Sequence, residues 1–318
     1  MTCPQVFDDP AFVSLEANRL GGRPAFFDLG GGPVLGLIAQ AISATRATDL
    51  VSVYGYPDNF AVPDEAGIID TDARLAEMGE TARRQGHIAA YLRLGLANET
   101  PAPLPETKSS GVSAIRVEVG EVVAIDLTQS VEDLMAGYRK QLRYDLRRGH
   151  DLRIERSDDA AAFHHIYTEN MRRVGASAIY HFSADYLAAL CSLPGAELWL
   201  AHDAEGVATG GIFLRQGEIT YYHLGATADR AIAASPLKHL LHNRIATLAM
   251  SGSTRLVLGG GRAGADDALL RFKRGFSRLT VPVHALRVIL DPKSYARLSG
   301  LPVQPPPANG FFPTYRAP

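Results

Sequence analysis

The sequence holds two cysteines, Cys3 and Cys191, in 318 residues. They are too few and too far apart for a disulfide framework, which fits a reducing compartment. No uninterrupted apolar run approaches the roughly 20 residues of a membrane span. The N-terminal MTCPQVFDDP has neither the basic nor the apolar region of an export signal. A cytoplasmic protein with no membrane span is expected. Net charge is also scarce, −2 at pH 7, which excludes a globally basic nucleic-acid binder; no DNA partner is expected, and any RNA or phosphate contact must come from a local patch. Several catalytic signatures are missing as well. There is no G-x-S-x-G and no G-x-x-x-x-G-K-[ST], and His164 with His165, or His239 with His242, lack the H-E-x-x-H arrangement and any cysteine partner. No metal is expected. What is present, 46% apolar and 21% charged residues at this length, suffices for two domains with full cores.

Residues 24–43 give two β-rich runs broken at Gly-Gly-Gly-Pro, and DLVSVY (49–54) adds a short strand. The period then changes. Residues 71–86 are helical in pattern, with Thr71 as N-cap, Leu75 and Met78 three apart, and Gly86 as the stop before the strand HIAAYLRLGL. ETPAPLPETKSSG (99–111) is a loop by composition. The strands VSAIRVEV and EVVAIDL follow, and Ser130 with Asp133 forms a capping pair for a helix running to Gly149. Along it, apolar Val131, Leu134, Met135, Tyr138, Leu142 and Leu146 recur at helical spacing. Arg139, Arg143 and Arg147 form a ridge four residues apart, equally readable as a solvated cationic face or as an anion-binding one.

A helix around 158–174 precedes three strands in series, ELWLAHD, VATGGIFLRQ and EITYYHLGA, whose short turns imply an antiparallel meander. Ser235 caps the next helix, with Pro236 at its first position, a buried stripe of Leu237, Leu240, Leu241, Ile245 and Leu248, and Gly252 as its end. The strand TRLVL and a last strand VPVHALRVIL follow. The two halves share an order of β-rich runs, a helix stopped by glycine and a buried strand, so duplicated α+β halves are expected.

Between those last strands, Gly259, Gly261 and Gly264 spell G-x-G-x-x-G. The strand before and the helix after favour a dinucleotide loop, with Asp291 where a ribose-binding acid would lie. Fewer than 30 residues remain beyond Asp291, however, too few for the strand-helix units such a domain needs. Asp266 and Asp267 also occupy the helix N-terminus, where the anion should bind. A lone three-glycine match is a weak signal, and a steric role for the glycines fits better.

LGAT (224–227), SPLKHLLHNRIATLAMSG, LGGG and DDALLRFKRGFS together resemble the FemABX branch of the GNAT acyltransferase superfamily. In its second domain a Gly-rich strand end leads to an acidic residue and a Phe-Lys-x-x-Phe helix. VAIDL with YRKQLRYDLRRG, YTENMRRVGASAIYHFSADYL and VYGYP are similar to further family segments, so the resemblance spans roughly residues 24–298. It implies an α+β chain of two tandem GNAT-like domains, mixed and mostly antiparallel sheets flanked by helices, facing each other across a cleft. The expected division is 1–125, 126–300 and a Pro-rich tail, 301–318. The implied reaction is acyl transfer to an amine, with aminoacyl-tRNA as co-substrate, no cofactor, and a cell-wall precursor, peptide or small molecule as amine acceptor. ATADRAIAASPLK (226–238) stands where ordinary GNAT enzymes carry a pyrophosphate loop. That weighs against acyl-CoA, which stays open as the alternative donor; a binding protein without chemistry is a third reading.

The resemblance implies roles for particular residues. Lys273 would place its ammonium near the reacting carbonyl, although by itself it reads as a solvent-facing lysine beside Arg271 and Arg274. The strand bearing Tyr222, His223 and Gly225 would offer a backbone N–H to the carbonyl. Gly225 would permit close approach of the donor and His223 could relay a proton, though lone strand histidines are usually hydrogen-bonded core residues. Asp267 most simply caps its helix. Tyr54, Tyr56, Arg173, Tyr222 and Phe272 are substrate-binding candidates, although tyrosines at strand ends are more often half-buried packing residues. Arg139, Arg143 and Arg147 are candidates for tRNA phosphates.

Overall fold

The computed structural model describes residues 4–29, 34–58, 60, 71–96, 111–149, 151–261 and 266–317. In chain order its elements are α1 (Pro10–Arg19), β1 (Arg23–Phe27), β2 (Leu35–Ala41), β3 (Thr48–Val51), α2 (Thr71–Arg84), β4 (His87–Arg93) and β5 (Ser113–Asp126). Then come α3 (Val131–Gly137), α4 (Lys140–Arg148), β6 (Arg153–Ser157), α5 (Ala160–Arg173), α6 (Ala184–Cys191), β7 (Ala196–Asp203), β8 (Gly206–Gln216) and β9 (Ile219–Thr227). The chain ends with α7 (Pro236–Ala249), β10 (Arg255–Gly259), α8 (Ala268–Lys273), β11 (Thr280–Ile289) and α9 (Pro292–Ser299). The Gly-Gly-Gly-Pro turn, most of the 99–111 loop and Gly264 lie outside the described residues.

Two compact units divide the chain: a central unit of residues 1–6 and 121–281, and a flanking unit of residues 7–120 and 282–318. The first boundary, inside β5, falls close to the expected 125. The second departs from the sequence-based division, because residues 282–318 join the flanking unit. Strand pairing is the reason: Ala285–Ile289 of β11 runs antiparallel to Ala89–Arg93 of β4. Arg287 then holds the Pro-rich tail, donating to the carbonyls of Pro307 at 2.5 Å and Gly310 at 2.8 Å.

In the flanking unit the strand order is β1-β2-β3-β4-β11-β5, and in the central unit β5-β10-β9-β8-β7-β6. Strand pairing in each unit is mostly antiparallel and uses one device, a strand, a helix and a parallel neighbouring strand. β3–α2–β4 supplies it in one unit and β9–α7–β10 in the other. Each crossover helix is followed by a glycine at positive φ, Gly86 at +81° and Gly252 at +78°, where a Cβ would be strained. Leu75, Met78 and Ala82 of α2 pack on Leu37, Leu50, Leu92 and Leu286. Leu241, Ile245 and Leu248 of α7 pack on Val123, Ile125, Leu256 and Leu258. Full burial of each large aliphatic side chain contributes about 1.5–3 kcal/mol relative to exposure.

Three local expectations are corrected. The helix expected to run from Ser130 to Gly149 is two helices. Ser130 does cap the first, accepting from the Asp133 N–H at 3.1 Å, but Tyr138 and Arg139 are extended between α3 and α4. The break turns Tyr138 inward to 2% exposure, and the Arg139 N–H donates to the Gly275 carbonyl at 2.9 Å. Ser235 stands at the N-cap position of α7 but is left-handed (φ 52°, ψ 45°) and makes no side-chain cap. VSAIRVEV and EVVAIDL are one strand, β5, which passes through Gly120 at φ +136°.

Candidate active site

In the central unit, β9 and β10 pair in parallel over only three residues, Arg255–Val257 against Ile219–Tyr221. Beyond that point both strands carry an extra residue. Against β8, Ile212 faces Leu224 and Phe213 faces Tyr222, which leaves His223 as a bulge. Against β5, Val257 faces Ala124 and Gly259 faces Val123, which leaves Leu258 as another. Bulges bend strands and end pairing, and here they leave a wedge between the strands. Along it, β9 continues from Leu224 to Thr227 in register with β8, and no pairing to β10 extends beyond Tyr221 among the described residues.

The glycine turn after β10 forms one end of this wedge. Gly259 has φ +84°, and a Cβ on Gly260 would lie 2.6 Å from the Glu121 carbonyl oxygen, so only glycine admits this close pass beside β5. The role is steric, but the close pass is to β5 and falls on Gly260, outside the three-glycine motif. α8 starts after Asp267, whose carboxylate accepts from the Leu270 N–H at 2.9 Å, the cap the sequence suggested. Such a cap contributes about 1 kcal/mol. Arg274, just past the helix, pairs with Glu121 and lies 3.4 Å from Asp266.

Lys273 is not solvent-facing. It is 8% exposed, and its Nζ donates to the Gly260 carbonyl at 2.7 Å. A Cβ on Gly259 would come 3.0 Å from that Nζ. Burial depresses the Lys273 pKa to about 8 against the smaller opposing pull of Asp267. By that value about nine-tenths of the amine remains protonated at pH 7, a fixed cation in a poorly solvated place.

Tyr222 is half-buried on β9, tilted against Phe213 with ring centroids 5.5 Å apart, and burial pushes its phenol pKa up. Its hydroxyl occupies the space that a Cβ on Gly225 would take. Gly225 therefore accommodates a neighbouring tyrosine of its own strand, where the sequence suggested close approach of a donor. Arg173 lies at the far end of β9, donating to the Thr227 carbonyl at 3.3 Å and pairing with Asp229 and Asn170. Its guanidinium braces that end. Phe272 packs edge-on against Phe276, 5.6 Å away, as a partly buried part of the core.

Tyr54 and Tyr56 belong to the flanking unit. The Tyr54 N–H donates at 3.0 Å to Glu16, which is fully buried and ion-paired to Arg19 at 2.7 Å. Tyr56 stands edge-on to Phe7 under the Arg93 guanidinium, 5.6 Å above the ring, and burial raises its pKa more than Arg93 lowers it.

The arginine ridge divides. Arg139 and Arg143 line a groove of about 910 Å³ beside the α3–α4 break, whereas Arg147 is exposed and does not. Lys140, Arg274 and Arg278 line the same groove. Arg278 and Arg274 were missed in the sequence, and the charge run in FKRGFSR was the available signal. Among the described residues no group of three or more His, Cys, Asp or Glu could hold a metal.

Over 94% of this chain and 99% of the other, the structure matches that of FemX with a TM-score of 0.65 at 13% identity. The C-terminal domain of an Agrobacterium fabrum protein described as a lysylphosphatidylglycerol synthetase gives 0.56 at 15% identity, covering 89% of each chain. L-PGS from Bacillus licheniformis gives 0.50 at 12% identity, covering 92% and 94%. The chain has a FemX-like fold. At these identities the likeness concerns the fold. No protein-family model matches the chain, and no curated protein does. No described helix is long and apolar enough to cross a membrane.

Proposed function

We propose that the protein is an N-acyltransferase that moves an aminoacyl group from aminoacyl-tRNA to the amine of a cell-wall precursor, peptide or small metabolite. The observation that carries the reading is the wedge between β9 and β10 with the Lys273 ammonium at its glycine end. A neutral amine attacks the ester carbonyl and forms a C–N bond, and the carbonyl oxygen takes the negative charge. The Lys273 cation, with a backbone N–H of β9 beyond Tyr221, would stabilise that charge, as fixed donors do in poorly solvated sites. The C–O bond to the ribose then breaks, and the proton lost by the amine goes to the departing oxygen, with His223 on the bulge as the candidate relay. The FemX-like fold and the resemblance in LGGG and DDALLRFKRGFS support this chemistry.

The tRNA donor is favoured over acyl-CoA by the segment after β9. A CoA enzyme needs free N–H groups around a diphosphate, whereas residues Asp229–Ala234 form a 3-10 helix. Arg173 and Glu169 brace its start through the Asp229 carboxylate and N–H. The test incubates a panel of amine acceptors with charged tRNA or acyl-CoA, with and without ribonuclease, and reads the amide product by mass spectrometry. Product that needs charged tRNA and disappears with ribonuclease is expected. Product that survives ribonuclease and needs acyl-CoA would move the donor to CoA, and none with either donor would favour a binding protein.

A further inference from the structure

The groove beside the α3–α4 break plays no part in the chemistry above. Five cationic side chains line it, Arg139, Lys140, Arg143, Arg274 and Arg278, along with two acids, Asp126 and Asp133. Both acids are engaged locally. Asp126 accepts from the Thr128 hydroxyl at 2.6 Å and from Gln129 at 3.2 Å, and Asp133 accepts from the Ser130 hydroxyl at 2.7 Å. Arg274 is paired with Glu121, and Arg143 donates one N–H to the Ala136 carbonyl at 2.5 Å. The side chains of Arg139, Lys140 and Arg278 are exposed and make no hydrogen bond or ion pair among the described residues. α4 also opens into this region with Arg139 at its N-cap, so no side chain caps its first-turn N–H groups.

Unpaired cations held close together repel one another, and a helix N-terminus adds partial positive charge. An anion relieves both. A carboxylate would satisfy one guanidinium fork. Several cations from two separate segments, around a space in the size range of ligand sites, match groups that carry more charge and more acceptor oxygens. We propose that this groove is a nucleotide-phosphate site, with Arg139, Lys140 and Arg278 as its principal contacts and the α4 N–H groups beneath them. The proposal deepens the donor reading and rests on it only for the source of the phosphate, since an RNA strand and a free nucleotide carry the same group.

The experiment measures binding of a fluorescent RNA dodecamer by anisotropy across a KCl series, and of ADP by calorimetry. The proteins are wild type, the triple variant Arg139→Gln/Lys140→Gln/Arg278→Gln, the single variant Arg278→Glu, and Arg84→Gln, an exposed position in the other unit, as control. Melting temperature is followed throughout. If RNA is the source, the triple variant loses roughly 1,000-fold in RNA affinity, about a tenfold effect for each of the three contacts. Its salt slope flattens by about two units, at roughly 0.7 per phosphate contact on a single strand. Arg278→Glu alone loses about tenfold, and the control is unchanged. ADP binding that the triple variant abolishes, without RNA binding, would uphold the phosphate site while removing its support for tRNA. Wild type that binds neither probe, or variants that bind both as wild type does, would overturn the proposal. Because binding is read apart from turnover, failure of tRNA-dependent transfer with groove binding intact would refute the donor reading alone.

Discussion

Replacing Lys273 by Met removes a buried cation while keeping most of the side-chain volume, and its effects can be worked from the surroundings. The amine titrates near 8 in the folded protein, against about 10.4 in an unfolded chain. Between those values the unfolded state holds a proton that the folded state has released, so wild-type stability rises with pH. The rise totals about 3 kcal/mol, since one pH unit of difference is about 1.36 kcal/mol. Below pH 8 both states are charged, and the folded state bears the full desolvation cost. Lys273→Met lifts that cost but leaves the Gly260 carbonyl without its donor, a loss of about 1–3 kcal/mol. The opposing terms leave the variant within about 2 kcal/mol of wild type at pH 7. From pH 8 to 10.5, wild type should gain about 3 kcal/mol on the variant. Trp199, the one tryptophan in the sequence, lies on β7 of the central unit, so its fluorescence in urea titrations at pH 7 and pH 10 reports the right region. Turnover should fall about 100-fold in the variant, the scale of a lost oxyanion contact. In wild type the charge-dependent activity should be present below pH 8 and lost above it. Parallel stability curves for the two proteins would refute the buried-cation argument, and a fully active variant would remove Lys273 from the mechanism.

Two further outcomes follow from close contacts. Gly225→Ala puts a Cβ where the Tyr222 hydroxyl lies, so it should destabilise by about 1–3 kcal/mol; in a Tyr222→Ala background the cost should shrink below about 1 kcal/mol, and an unchanged cost in a double-mutant cycle would show that the clash is not the cause. Arg316→Ala strips one partner from the Asp49 carboxylate, 2.6 Å away and 2% exposed. It should cost about 3 kcal/mol at pH 7 by calorimetry. Burial already raises the Asp49 pKa against the pull of Tyr315 and Arg316, so folding favours its protonated form. The loss should therefore shrink as pH falls towards the carboxylate range, and a loss independent of pH would contradict this.

Elements whose pattern is decided by burial of one face were readable in the sequence. The β7–β8–β9 meander, the stripe of α7 and the strand β10 each lie where alternation or helical spacing put them. α1 and α9 went unread although both carry a legible start. Asp9 before Pro10 caps through the Ala11 N–H at 2.7 Å, and Asp291 before Pro292 caps through the Ser294 N–H at 3.0 Å. β6, RIERS, went unread for a physical reason: it is the edge strand of the central sheet, no residue of it is fully buried, and its charges hide the alternation. The α3–α4 break could not be read locally, because Tyr138 keeps helical spacing with Leu134 and Leu142. What opens the backbone there is a bond from the Arg139 N–H to Gly275, far away in the sequence.

The same long-range bond explains what was hidden in the site. Counting charges along one uninterrupted helix gives Arg139, Arg143 and Arg147 equal standing, since residues four apart share a face. Breaking the helix at Tyr138 seats Arg139 at the start of α4 and fastens it to the turn after α8, where Arg274 and Arg278 follow. The cationic surface is thus assembled from two segments. Arg147, two turns along α4, is left on the exposed side. Lys273 obeys the same logic. A lysine between Phe272 and Arg274 on a six-residue helix carries no local sign of burial, yet the glycine turn folds its own carbonyl back over the amine. That reversal requires a positive φ at Gly259 and no side chain on Gly260. The motif spelled like a nucleotide loop is therefore built to hold a cation against a strand end.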